Sequence, residues 1–250
     1  MSTFCFQCQE AAKGTGCTTK GICGKTVEAA GLHDLLVFTL KGLAVAAQAA
    51  EQRGTPDEGV GPFVTKALFA TITNANFDAT RLNALIGEAI ARRDAIKATI
   101  GFESELDAVN WNGPVADYLA KSEDVGVLSE PDEDVRSLRE LLIYGVKGMA
   151  AYADHAAVLG FEKPEIYRFM IAALAATTRP LDVPQLIDWV QRCGEFGVMA
   201  MALLDEANTV TYGHPEMTSV SLGVRNNPGI LISGHDLKDL EELLTQTEGT

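Results

Sequence analysis

Four of the chain's five cysteines fall near its start, in "FCFQCQEAAKGTGCTTKGICGKT", residues 4–26. Cys5, Cys8, Cys17 and Cys23 follow the spacing C-x2-C-x8-C-x5-C. A C-x-x-C loop turns two thiolates toward one centre, and the longer returns bring two more round to close a four-thiolate site. Zinc, an iron–sulfur cluster and a redox or structural set of thiols all satisfy that count. Zinc sites usually pair two C-x-x-C knuckles, which the x5 return fits poorly, whereas a cubane is larger than one ion and tolerates irregular spans. The spacing therefore favours a cluster over zinc. Gly14, Gly16, Gly21 and Gly24 would let backbone N–H groups approach the sulfides, and Lys20 and Lys25 would offset a negatively charged cluster.

The remaining candidates are four histidines and Cys193. His33 and His155 lie in long apolar helices and read as surface or core-edge residues, while His214, in the turn-rich "YGHPE", suits a cavity wall or a structural hydrogen bond. His235 differs. It follows the apolar run Ile230–Ser233, read as a buried strand, and opens an amphipathic helix; ligands of open α/β sheets gather at that carboxyl end. Cys193, in "VQRCGEF", reads as a structural thiol.

The elements that must position these residues are mostly helical. Alanine- and leucine-rich stretches with a three-to-four residue period predict helices over residues 26–53, 62–74, 78–100, 132–159, 164–177 and 182–208. Two blocks repeat at an offset of 106: "LLVFTLKGLAVAAQAA" from Leu35 matches "LLIYGVKGMAAYADHA" from Leu141, and "ALFAT" from Ala67 matches "ALAAT" from Ala173. The repeat pairs Lys41 with Lys147 and Gly42 with Gly148; a cluster- or substrate-facing site in both halves is one reading, and a glycine for close packing beside a lysine stem is the favoured one. The expected fold class is mainly α. It comprises a cysteine-rich cluster segment over 1–25, two tandem three-helix bundles over 26–208, and over 209–250 the first β-α unit of a truncated, Rossmann-like α/β domain. A parallel strand needs a neighbour in its sheet, so the chain reads as part of a longer protein.

With 250 residues and 47% hydrophobic side chains, the chain can bury a substantial core. Its net charge of −14 argues against nucleic acid or an anionic membrane as partner. The most apolar stretch, residues 35–50, is interrupted by Lys41 and Gln48, and no secretory leader opens the chain. A cytoplasmic location follows, and there clustered thiols serve metals more often than disulfides. No G-x-G-x-x-G fingerprint signals a bound dinucleotide.

The segments "FCFQCQE", "GTGCTTKGICGKT", "LLVFTLKG", "TNANFD", "YGHPE" and "ILISGHDLKDL", in that order, resemble the hybrid cluster protein family, also called hydroxylamine reductase or prismane protein. The resemblance implies that Cys5, Cys8, Cys17 and Cys23 ligate an accessory [4Fe-4S] cluster, the x8 and x5 gaps matching the four-iron class. It further implies that His235 ligates the hybrid iron–sulfur–oxygen cluster, whose other ligands, two glutamates and four cysteines, fall later in the family. The implied reaction is reduction of hydroxylamine to ammonia and water, with nitric oxide as another small nitrogen-oxide substrate, fed by an electron-donor protein. Two rival expectations stand beside it: a one-cluster electron-transfer module, and a zinc-stabilised helical interaction module.

Overall fold

A computed structural model describes residues 4–234 and 236–249. After the cysteine segment come helices α1 (Val27–Gln52), α2 (Val60–Ala70), α3 (Ala79–Ile100), α4 (Asp107–Asn110), α5 (Tyr118–Val125), α6 (Glu133–Val158), α7 (Pro164–Ala176), α8 (Val183–Tyr212) and α9 (Leu237–Gln246). Local chemistry sets their ends. Thr26 accepts from the Ala29 N–H at 3.0 Å, and Asp78 and Asp132 each accept from two N–H groups of the turn they open. Asp182 and Gln185 form a reciprocal capping box, and Pro164 sits in the first turn of α7.

The repeat is visible in the helices, with α1–α2–α3 answered by α6–α7–α8, but the middle members are exchanged. α1 packs along α3 of its own half and along α7 of the other, while α2 lies chiefly on α6 and α7, and α6 runs along α8. One cluster of buried side chains therefore draws on both halves, from Leu36, Leu40, Val64 and Leu68 to Val146, Met170, Leu174 and Leu203. α1 is apolar on most of its circumference, which suits a helix covered on several sides. By length and composition it could cross a membrane, yet 72% of its apolar window is buried against the rest of the protein. The short helices α4 and α5, which sequence periodicity did not reveal, complete its cover.

The expected strand Ile230–Ser233 does not form, and no strand exists among the described residues. Ile230, Leu231 and Ile232 are exposed by 65%, 97% and 50%. The reason is physical: a strand needs a partner for its N–H and C=O groups, and the described residues supply none. The helix expected after it is present as α9, opened by Asp236, whose carboxylate accepts from the Lys238 N–H at 3.1 Å.

Candidate metal centre

The cysteine segment folds back on itself. Cys5 and Cys17 form a two-bond antiparallel bridge, with N–H to O distances of 3.1 and 2.8 Å. The intervening loop turns through Lys13 and Gly14, both left-handed, and at Gly16 φ is +152° while the Phe4 ring occupies the place of a side chain, 2.6 Å from a Cβ built there. Cys23 follows on a tight turn closed by Gly24 N–H to Gly21 O at 3.0 Å and Gly21 N–H to Lys25 O at 2.8 Å. All four cysteines are free thiols: Cys17 is buried, Cys5 and Cys8 are half-buried, and Cys23 is exposed. Hydrogen bonds from the backbone of Ala12, then Ile22, hold the Cys17 thiol below its ordinary range, an environment prepared for a thiolate.

Among the described residues no three His, Cys, Asp or Glu side chains gather closely enough for one metal ion. A four-iron cluster asks for something different, each thiolate on a separate iron, and a set of four soft donors with backbone N–H groups turned on a sulfur fits that chemistry. His235, the expected hybrid-cluster ligand, lies outside the described residues.

The C-x-x-C loop is held from both halves through Gln7. Its carbonyl oxygen accepts from the Tyr144 hydroxyl at 2.8 Å and from Thr73 Oγ1 at 3.2 Å. With its carboxamide oriented to satisfy both neighbours, Gln7 donates to the Thr71 carbonyl at 3.3 Å and accepts from Lys147 Nζ at 3.1 Å. Thr71 and Thr73 follow α2, whereas Tyr144 and Lys147 stand on α6.

Behind the loop lies a polar interior. The Lys25 ammonium meets His33 Nδ1 at 3.1 Å, and His33 Nε2–H donates to the Asn76 carbonyl at 2.8 Å, which makes Nδ1 the acceptor. His33 is thus buried rather than at the core edge. Burial, assisted by Lys25, depresses its pKa to about 3, so the ring is neutral. Asp34, on the next position of α1, is raised to about 7 by burial against the pull of Lys147, and burial brings Lys147 down to about 8. Glu140 is pushed up by burial and Lys41 down, each the other's strongest opposing charge. The quartet is built from the repeat, because the offset that pairs Lys41 with Lys147 also pairs Asp34 with Glu140. Sequence reasoning noted the lysines and missed the carboxylates seven residues before each, the signal that these lysines are partners of half-buried acids. Lys25, expected to offset a cluster's charge, is buried and turned to His33, while Lys20 is exposed.

The other candidates stay apart. His155 stacks edge-on to Phe69, His214 is exposed, and Cys193 is buried in α8 with its thiol pushed up to about 11. A cleft of about 610 Å³ between α2, α3 and α6 is lined by Lys66, Arg81, Glu88, Arg92 and Asp154 and touches none of the cysteines.

Residues 3–250 match the sequence profile of the Prismane/CO dehydrogenase family. The chain belongs to that family. It is 55% identical to a protein named hydroxylamine reductase from Nitratidesulfovibrio vulgaris, over 99% of this chain and 47% of that protein. A hydroxylamine reductase from Desulfitobacterium hafniense is also 55% identical, over 100% of this chain and 47% of the relative, and one from Bacteroides thetaiotaomicron is 52% identical over 100% and 46%. The chain spans about half the length of the curated relatives it matches. Membership of the prismane family implies iron–sulfur chemistry in general terms.

Proposed function

We propose that this chain forms the electron-entry half of a hydroxylamine reductase-type oxidoreductase acting in the cytoplasm. Cys5, Cys8, Cys17 and Cys23 hold an accessory [4Fe-4S] cluster, and His235 contributes one ligand to a hybrid iron–sulfur–oxygen cluster whose other ligands belong to the remainder of a family-length protein. The overall reaction takes one hydroxylamine, two electrons and two protons to ammonia and water by cleavage of the N–O bond. Reduction of two nitric oxide molecules to nitrous oxide and water, also with two electrons and two protons, is the variant open to the same centre. When bound, the four-iron cluster supplies one-electron transfer. The chain's own residues do the rest of the work at this end: the cysteines ligate, and Gln7 fixes the C-x-x-C loop between α2 and α6.

The observation that carries this reading is the graded exposure of one cysteine set in a chain of this family. Cys17 is buried against backbone donors and Cys23 opens to solvent, which supports reading the set as a port for electrons from a separate donor protein. The test is anaerobic purification followed by iron, sulfide and zinc analysis and EPR of the dithionite-reduced protein. Iron and sulfide in equal amounts with a reduced-cluster signal are expected, and Cys17→Ser should abolish that signal. A colourless protein with one zinc per chain overturns the cluster assignment and leaves the zinc-stabilised module in its place.

A further inference from the structure

We propose that Lys147, acting through Gln7, is a positioning residue that sets the reduction potential of the centre held by the four cysteines. The inference rests on the four-iron reading above. Gln7 lies inside the C-x-x-C loop, and every polar atom of its carbonyl and carboxamide is engaged by the two helical halves: Thr73 and Tyr144 at the carbonyl, Thr71 and Lys147 at the side chain. Only one of those four partners carries charge. Lys147 is 5% exposed, so water and salt do little to screen its field, and its side chain comes from α6, far from the loop in sequence.

A cation fixed behind the ligand loop stabilises whichever redox state is more negative, and adding an electron to a thiolate-bound cluster makes it so. The charges facing Lys147 define the sign of each perturbation. Asp34 and Glu140 oppose it, Lys25 reinforces its field, and Asp34, Lys25 and His33 share with Cys5 and Gln7 a small void beneath the loop. Lys147 therefore raises the potential and Asp34 lowers it, while Gln7 keeps the ammonium at a fixed distance from the loop through its 3.1 Å contact.

The experiment is an EPR-monitored redox titration of the anaerobically isolated chain at pH 7.5, comparing the parent with Lys147→Met, Lys147→Arg and Asp34→Asn. Lys147→Met should lower the reduced-to-oxidised ratio at fixed potential about tenfold, equivalent to about 59 mV for one electron. Lys147→Arg should stay close to the parent, and Asp34→Asn should shift the other way. A Lys147→Met midpoint unchanged from the parent, or the Met and Asn variants moving together, overturns the proposal. Where Lys147→Met fails to load a cluster, Asp34→Asn decides: an upward shift supports the assignment and any other result overturns it. A parent chain that binds no iron sinks the four-iron reading and this inference with it, whereas a loaded parent with unmoved variants sinks this inference alone.

Discussion

His33 shows how a side chain that suggests metal chemistry can be claimed by its surroundings. Its two nitrogens are spent on Lys25 and Asn76, and its burial keeps it neutral. The unfolded imidazole titrates at its ordinary 6.5 and the folded one at about 3, so between those values the unfolded chain binds more protons. The stability this group contributes is complete above the higher value and drains away as pH falls toward the lower, at about 1.4 kcal/mol per pH unit. His33→Gln lacks that titration. Its deficit in unfolding free energy relative to the parent should therefore shrink as urea denaturation is repeated from about pH 7 to about pH 4; a constant deficit would mean that the ring protonates normally in the folded protein. Asp34 acts in the opposite sense over part of the same range, its raised pKa adding stability as pH falls below about 7, which is why the paired comparison and not the raw pH profile is informative.

At the scale of elements, the repeat sets the same dipeptide to two uses. A Cβ at Gly42 would sit 1.8 Å from the Ala108 carbonyl oxygen, because α4 crosses α1 there, whereas a Cβ at Gly148 meets nothing within 4 Å. Gly42→Ala should cost about 3 kcal/mol, since backbone must move to admit it. Gly148→Ala should be neutral or stabilising by up to about 1 kcal/mol through helix propensity. Thermal unfolding of the two variants side by side checks this, and equal effects would refute the asymmetry. The close-packing reading of the pair thus holds for the first glycine and not for its counterpart. The segment 213–234 is the other instructive element. It is exposed from end to end, with Val224 at 97% and Leu222 at 96%, and beyond Gly213, whose N–H closes α8 on the Thr209 carbonyl at 3.0 Å, no backbone bond to a helix is found among the described residues. Trypsin should cut this chain first after Arg225, leaving the helical body intact on a gel, and earlier cleavage within α1 to α8 would contradict the packing described.

For the molecule as a whole, the long helices were legible because they carry their own instructions: an apolar period, a breaker and, at α1, α3, α6 and α8, a capping side chain. Predicted and observed boundaries accordingly lie close together for α1, α3, α6 and α7. The cysteine spacing was visible for a similar reason, since four thiols within one short segment need no tertiary information to be noticed. Two separate bundles were not what formed. Sequence similarity says that α2 and α7 are equivalent, but which partner each covers depends on where the apolar faces of α1 and α6 are left open, and that is settled only when both halves are present. The strand at Ile230–Ser233 failed for the converse reason, an apolar run with no ladder to join. From the chain alone, then, follow the cysteine spacing, the family and the long helices, because spacing and periodicity are local properties. The clamp on Gln7 and the quartet of charges around Lys147 belong to the tertiary structure: the Tyr144 hydroxyl reaches Gln7 across 137 positions of sequence, and no local rule encodes a contact that exists only once two halves have packed against each other.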